Sequence, residues 1–308
     1  MNVESAARLD EQSVESAPVP RPGIHGLTDR AQSRANASAY SSEGVAPNRD
    51  YTIKTGSSAE GPASWRLERN LRQVTFAQCP ELSVFSETTS ARMAAVHAHP
   101  AWTLLLPVDG GTVTVVAGDV VRVSNDGVLL PPQIQYRAAT DGPHVAVYAN
   151  AWRSARPQSM RPRMIGSNSA RRVLNVLDVD HGTDLPGSMV ELATLVGRIG
   201  ALDSRLAFVI EALPEAGRLD GLAADVGISP SRLRALANDN IGVPLTQLRL
   251  WSRLARAIAW LPYGTTATAA TSAGFADQAH FTRTARRFLG RTPGGLSLRP
   301  LVHQPRHG

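Results

Sequence analysis

Residues 223–236 read AADVGISPSRLRAL, and residues 270–283 read ATSAGFADQAHFTR. Both stretches place an Ala four residues before a Gly, at Ala223 and Gly227 in the first and at Ala270 and Gly274 in the second. A small side chain lets two helices cross closely, and glycine supplies the backbone freedom that a tight turn needs. The sequence therefore predicts two units of helix, turn and helix near its C-terminal end.

The start of the second helix in each unit carries different capping residues. In the first unit, Ser229 is a favourable N-cap and Pro230 suits the first helical position, where no backbone N–H is needed. In the second unit we place the weak capping residue Ala276 at the N-cap and Asp277 in the first turn, where its charge complements the helix dipole. We therefore expect the second of these helices to start less firmly.

Each second helix is predicted to have a buried stripe at helical spacing and an opposite polar face. The stripes are Leu233, Leu236, Ala237 and Asn240 in the first unit, and Phe281, Ala285 and Phe288 in the second. Arg and Gln are the side chains that read guanine and adenine edges in the major groove of DNA. The candidate DNA contacts are Ser231, Arg232, Arg234, Ala235, Gln278, Ala279, His280, Thr282, Arg283 and Arg286. Beyond the second helix, Arg291 is expected to contact phosphate.

The stretch from Asp203 to Leu298 resembles the DNA-binding domain of the AraC/XylS family of bacterial transcription regulators. The resemblance is carried mainly by Gly274-Phe275, Asp277, Phe281, Arg283, Gly290 and Pro293. It implies a lead helix in residues 203–213, a linking helix from Pro244 to Trp260 between the two units, and double-stranded DNA as the partner. It also leaves RNA polymerase as a further candidate partner.

Four positions depart from the family pattern. Ala235, with Arg234 beside it, stands where an arginine is usual, and Ala237, Ala269 and Ala285 stand where larger side chains are usual. Loss of bulk at a buried position costs roughly 2–5 kcal/mol unless neighbours refill the space. Either Trp251 and Trp260 of the linking helix compensate, or the domain is marginally stable.

The positive charge of the chain is concentrated in the same region. Residues 203–299 contain twelve Arg and seven Asp or Glu, which gives +5 of the net charge of +6 for the whole chain. A basic surface favours nucleic acid, because it displaces counterions from phosphates. The alternative is a solvated Arg-rich surface that reflects genomic composition, since Lys54 is the only lysine.

The length of 308 residues and 43% hydrophobic content allow two domains with separate cores. The single cysteine, Cys79, excludes a disulfide framework and fits a reducing compartment. No apolar run reaches the length of a signal peptide or a membrane span, so we expect a cytoplasmic protein with no membrane partner. Residues 1–62 and 301–308 are predicted to be disordered tails. A misassigned start codon would give residues 1–60 the same appearance.

Residues 63–160 change to short apolar runs separated by turn signals, which is typical of antiparallel β-sheet. The runs are VTFAQ, LSVFS, AVHAH, WTLLLPV, TVTVVAG, VVRVS, GVLLPP and HVAVYA. Residues 97–110 (HAHPAWTLLLPVDG) and 127–136 (GVLLPPQIQY) resemble the two motifs of a cupin-type sensor domain. The predicted fold is therefore α+β and multidomain: a cupin-like β-barrel or jelly roll, followed by an all-α domain with two helix-turn-helix units in residues 202–300.

Metal-binding cupins supply two His and a Glu from the first motif and another His from the second. Here His97 and His99 are present, but Thr103 stands near the Glu position and Tyr136 near the later His. Two ligands make a poor site for a catalytic metal, so we predict neither metal nor cofactor. Instead we predict an effector cavity inside the barrel. The candidate effector contacts are His97, His99, Trp102, Tyr136 and His144.

Residues 161–201 contain two amphipathic segments that are expected to pack on the barrel or on a second subunit, as in a homodimer. The favoured function is a ligand-responsive, sequence-specific transcription regulator without enzymatic activity. Two alternatives remain: a metal-dependent cupin enzyme with an appended DNA-binding domain, and a DNA-repair methyl acceptor. The last would need an activated thiol, and Cys79 has no basic neighbour in sequence. The effector, the target promoters and the direction of regulation stay open.

Overall fold

A computed structural model of the chain describes residues 52–58, 61–69, 71–154, 156–177, 183–197, 202–215 and 218–296. Residues 1–51 and 301–308, which belong to the two predicted tails, lie outside the described residues. The end of the predicted N-terminal tail needs a correction. Residues 52–58 and 61–69 pair as antiparallel strands, so cross-strand hydrogen bonds order this segment despite its polar composition.

The described residues form two antiparallel sheets. Their strands are β1 (Thr52–Ser58), β2 (Gly61–Arg69), β3 (Arg72–Gln78), β4 (Leu82–Glu87), β5 (Ala101–Pro107), β6 (Val113–Ala117), β7 (Val120–Ser124), β8 (Val128–Leu130), β9 (Arg137–Thr140), β10 (His144–Asn150) and β11 (Arg163–Met164). The larger sheet has the strand order β1-β2-β3-β4-β10-β5-β8-β11, and the smaller has the order β7-β6-β9. The two-sheet arrangement is the predicted barrel or jelly-roll class of fold, with a buried core shared by both sheets.

Nine α-helices follow the sheets in the described part of the chain. They are α1 (Ser167–Leu177), α2 (Leu185–Val196), α3 (Ser204–Ala212), α4 (Leu219–Asp225), α5 (Pro230–Ile241), α6 (Leu245–Trp260), α7 (Thr266–Ser272), α8 (Gln278–Leu289) and α9 (Pro293–Leu296). The predicted lead helix is α3, the predicted linking helix is α6, and the two helix-turn-helix units are α4–α5 and α7–α8. Among these helices none has the length and apolar character needed to cross a lipid bilayer.

Most predicted strands are present, but the run AVHAH does not form one. Within it, His97 pairs with Tyr136 in a single isolated bridge. The neighbouring backbone N–H of Ala98 instead donates to the carbonyl of Arg287 in α8, at 3.4 Å. Pairing along a strand stops here because the segment turns its backbone toward the helical domain.

Strand β5 is buried along its whole length and separates two cores. Because side chains alternate across a strand, Trp102 and Leu104 face one side and Thr103 and Leu105 the other. On the first side, α1 and α2 cover the sheet with an apolar stripe. The predicted packing of these helices on the barrel is therefore observed.

The other side of the sheet shares its core with the helical domain. Strands β2 to β5 and the linking helix α6 bury side chains in one continuous apolar cluster, which also includes Phe281 and Phe288 of α8. Trp65 of β2 donates its indole N–H to the carbonyl of Ile258 in α6, at 3.0 Å. The second helix-turn-helix unit is therefore built onto the barrel rather than joined to it by a free linker.

The first helix-turn-helix unit has a separate core formed by α3, α4, α5 and the start of α6. Ala151 and Trp152, which follow β10 directly, are buried in this core. The range 63–160 predicted for the barrel therefore includes a segment whose packing belongs to the helical domain. Sequence pattern did not show this, because the segment is a short 3₁₀ helix at residues 151–153.

Candidate DNA-binding surface and interface cavity

The first helix-turn-helix unit is built as the repeat predicts. Ala223 is fully buried, and Gly227 adopts a left-handed backbone conformation with φ of 66° in the turn. The Ser229 side chain accepts a hydrogen bond from the backbone N–H of Arg232 at 3.2 Å, which caps α5. The predicted roles of Ser229 and Pro230 agree with this geometry.

The second helix of the second unit starts one residue later than predicted. Asp277, not Ala276, is the N-cap of α8, and its carboxylate accepts a hydrogen bond from the backbone N–H of His280 at 2.6 Å. Aspartate is among the best N-cap residues, and its charge also complements the helix dipole. The expectation of a weakly started second helix is therefore wrong, because the turn around Gly274 shifts the cap by one residue.

Most candidate DNA contacts are exposed to solvent on α5 and α8, the second helices of the two units. The exposed candidates are Ser231, Arg232, Arg234 and Ala235 in α5, and Gln278, Ala279, Arg283 and Arg286 in α8. Two candidates are half-buried: His280, whose ring packs edge-on against Phe275, and Thr282. Arg234 lies 3.7 Å from the Asp220 carboxylate across the first unit, so part of its charge is already opposed.

Arg291, expected to contact phosphate, faces the barrel instead. Its guanidinium donates to the Glu87 carboxylate of β4 at 3.2 Å and lies 5.9 Å from the ring centre of Phe85. The preceding Gly290 ends α8 with φ of 64°, and a Cβ there would lie 2.8 Å from the Ala95 carbonyl oxygen. Close packing of this turn on the barrel is what directs Arg291 away from the DNA-facing side.

A cavity lies between the barrel and the helical domain. Its walls come from the barrel and from the helical domain, which contributes Trp251, Leu254 and Ile258 of α6. Its volume is about 80 Å³ for the centres of water molecules, which corresponds to roughly five to eight waters. The space exists because small side chains line it: Ala91, Ala94, Ala138, Ala139, Ala146 and Ala255.

Three of the five candidate effector contacts line this cavity: His97, Tyr136 and His144. A fourth, His99, is buried directly behind them, with its ring 5.8 Å from that of Tyr136. The fifth, Trp102, requires a correction. Strand alternation turns its side chain to the opposite face of the sheet, into the core that α1 and α2 cover. The cavity also lies at the domain interface, whereas the sequence predicted a site inside the barrel alone.

The residues at the cupin motif positions bond to each other. Thr103 Oγ1 lies 2.9 Å and the Tyr136 hydroxyl 3.1 Å from the same ring nitrogen, Nε2 of His99. Thr103 and Tyr136 are the residues that stand near the Glu and His positions of metal-binding cupins. Among the described residues, no group of three or more His, Cys, Asp or Glu is placed to hold a metal ion.

Burial keeps the histidines of this region neutral. Desolvation by burial, together with the neighbouring His97, lowers the pKa of His99 to about 3. Burial also lowers the pKa of His97 and of His144, although the Glu87 carboxylate partly opposes the shift at His144. At neutral pH the cavity is therefore lined by apolar and uncharged polar groups, with Arg291 as the charged residue among its described walls.

Sequence analysis missed the cavity residues that come from distant parts of the chain. Phe76 and Phe85 lie on β3 and β4, Tyr148 lies on β10, and Trp251 and Leu254 lie on the linking helix. The ring of Trp251 stacks on His99 with centres 5.1 Å apart. The sequence placed them only in predicted strands or in the linking helix, since periodicity cannot tell which positions border a void.

Comparison with known proteins supports the helical part of this arrangement. Residues 222–298 match a family described as "Helix-turn-helix domain". No curated protein matches the sequence. Among solved structures, apo ToxT from Vibrio cholerae aligns with a TM-score of 0.48 at 12% identity, over 70% of this chain and 96% of ToxT.

Two further solved structures match one part of the chain each. An AraC-type DNA-binding-domain regulator from Chromobacterium violaceum is 25% identical, with a TM-score of 0.28, over 31% of this chain and 87% of its own. An RmlC-like cupin from Shewanella frigidimarina is 20% identical, with a TM-score of 0.22, over 32% of this chain and 83% of its own.

Proposed function

We propose that this chain, which carries an AraC-type helix-turn-helix domain at residues 222–298, is a DNA-binding transcription regulator that responds to a small, largely apolar molecule. One observation carries the effector half of the proposal. The walls of the cavity come from the barrel and from α6, α8 and the residues beyond α8. A molecule in the cavity would contact both domains, so its binding free energy would depend on how they pack together.

The DNA-binding half rests on the two exposed recognition helices. One chain presents α5 and α8, joined through α6, with basic and amide side chains in solvent. Two such helices in one subunit suit adjacent major grooves on one face of the duplex, about 34 Å apart. We propose the same candidate contacts as the sequence indicated, with Arg291 removed from the list of phosphate contacts.

The two alternative functions find less support in the geometry. A cupin enzyme would need further ligands beside His97 and His99, whereas Thr103 and Tyr136 bond to His99. A methyl acceptor would need a thiolate, and burial raises the pKa of Cys79, with the nearby Glu81 charge adding to the shift.

Selection of bound duplexes from a random pool, followed by footprinting, tests the DNA-binding half with the full chain. We expect a selected sequence to bind at least about 10³-fold more tightly than random DNA, with two protected major grooves per subunit. Equal affinity for selected and random duplexes would reject a sequence-specific regulator. Protection of one groove per subunit would reject the proposed use of both helices.

Quenching of tryptophan fluorescence by 4-phenyl-1-butanol tests the cavity as a ligand site. Its apolar body matches the aromatic and aliphatic walls, and Trp251 lies in contact with the bound position. Ala255→Phe should abolish binding because the new ring fills the cavity, while Ala193→Phe on α2, which does not line the cavity, should leave it unchanged. Equal binding by both variants would place the probe elsewhere.

A further inference from the structure

A polar groove lies beside the cavity and shares the lining residues Arg291, Ala91 and Ala94 with it. The groove is lined by three arginines, Arg72, Arg92 and Arg291, and by one carboxylate, Glu87. Its charged side chains therefore sum to +2. An excess of positive charge beside an apolar cavity suits a ligand with an apolar body and an anionic end.

The single carboxylate is buried and shared unequally between two arginines. Glu87 is only 4% exposed, and its Oε1 accepts from the Thr89 hydroxyl at 2.8 Å and from Arg72 at 2.8 Å and 2.9 Å. Among the described residues its Oε2 accepts only from Arg291, at the longer distance of 3.2 Å. Arg72 therefore forms the strong pair, and Arg291 can leave Glu87 without stranding a buried charge.

Arg291 also connects the groove to the second recognition helix. It lies two residues beyond the end of α8, and Gly290 between them packs against the 94–97 segment of the barrel. The pair of Arg291 with Glu87 is therefore a contact between the end of α8 and strand β4. A change in the partner of Arg291 would change this contact.

We propose that the groove binds the anionic group, such as a carboxylate, of a largely apolar effector, and that Glu87 occupies Arg291 in its absence. The effector anion exchanges with Glu87 for Arg291, while Arg72 and Thr89 keep Glu87 satisfied. This inference rests on the proposed function, since it assigns the effector class and the contact through which the effector acts on α8.

Binding of a matched pair of probes to the full chain tests the exchange. 4-Phenylbutyrate and 4-phenyl-1-butanol share their apolar part and differ in charge. We expect Glu87→Gln to tighten binding of the acid by about tenfold, because the carboxylate of Glu87 no longer competes with the acid for Arg291. The affinity for the alcohol should stay within about twofold. Arg291→Gln should remove any preference for the acid over the alcohol.

A second Glu–Arg pair on the barrel provides the matched control. Glu81 accepts from Arg153 at 2.9 Å, and neither residue lines the cavity or the groove. Glu81→Gln should leave both affinities unchanged. Melting curves establish that each variant is folded; if Glu87→Gln is not, the loss of acid preference in Arg291→Gln decides the question.

The outcomes separate this inference from the proposed function. If the alcohol binds and Glu87→Gln does not favour the acid, or Arg291→Gln retains the acid preference, the anion exchange is wrong and the cavity remains a ligand site. If neither probe binds the parent chain at millimolar concentration, the cavity is not an effector site and both proposals about it fall. Sequence-specific DNA binding is measured independently of either result.

Discussion

The indole N–H of Trp251 in the linking helix α6 donates to Oδ1 of Asn150, the last residue of β10, at 2.9 Å. The same asparagine donates its amide to the Pro80 carbonyl at 2.7 Å, which fixes its orientation. Trp251 is 4% exposed and stacks on His99 of the barrel. The Trp251 side chain of the helical domain thus bonds to a barrel strand and also lines the cavity.

Replacement of Trp251 by Phe is expected to destabilise the whole folded unit. The ring contacts are largely kept, but Asn150 Oδ1 loses its donor in a buried site, which costs about 1–3 kcal/mol. Urea unfolding followed by circular dichroism measures the change. Trp260→Phe is the matched control, since Trp260 is half-buried and its ring contact is Tyr263 at 5.9 Å. Equal losses in the two variants would show that the Asn150 hydrogen bond contributes nothing specific.

Arg283→Ala is expected to weaken binding to the selected DNA sequence by about 1–3 kcal/mol and to relax preference at one base. Arg283 is exposed on α8, on the face opposite the buried Phe281. Titration of labelled duplexes of selected and random sequence measures both affinities. Arg287→Ala serves as the comparison, because that exposed side chain lies over the neighbouring Phe288 ring. A loss for Arg283→Ala that is equal on both duplexes would assign it to phosphate.

Arg234→Ala tests base recognition by the first unit, where Ala235 replaces the arginine that the family places there. Arg234 is 63% exposed, and its pair with Asp220 is long, so its removal should change the free energy of unfolding by less than about 1 kcal/mol. Specific DNA binding should nevertheless fall by about 1–3 kcal/mol. Asp220→Asn, which frees Arg234, should not weaken DNA binding. If Arg234→Ala leaves the affinity for the selected sequence unchanged, the first unit reads its site through other residues.

Acidification is expected to destabilise the protein through His99. In the folded chain its pKa is about 3, against 6.5 for an unperturbed histidine, so below pH 6.5 the unfolded chain binds a proton that the folded chain does not. The stabilisation is complete above pH 6.5 and is lost as the pH falls toward 3. At pH 5 the loss from His99 alone is about 2 kcal/mol.

The free energy of unfolding at pH 7 and at pH 5 measures this effect. His97 and His144 act in the same direction, because burial lowers the pKa of each. His99→Gln keeps a polar group near Thr103 and Tyr136 but has no proton to gain, so the difference between the two pH values should shrink by about 2 kcal/mol. An unchanged difference in this variant would mean that His99 does not stay neutral in the folded protein.

The sequence by itself determined the helical domain, because its signals are local. Gly227 and Gly274 adopt positive φ angles in the two turns, and Ser229 caps α5. Each of these features depends on residues within a few positions of one another. The single error among them, a cap at Ala276 rather than Asp277, is a shift of one residue within such a turn.

Only the tertiary structure decided where the cavity lies and what Arg291 contacts. The cavity joins Phe85, Tyr148 and Trp251, which are far apart in sequence, and no local pattern indicates that their packing leaves a void. Arg291 resembles any basic residue after a recognition helix until the packing of Gly290 on the barrel turns it toward Glu87, 204 positions earlier in the chain. Alternation along β5 predicts that Trp102 and Thr103 lie on opposite faces of the sheet. Which of the two faces packs against the helical domain depended on the pairing of the complete sheet.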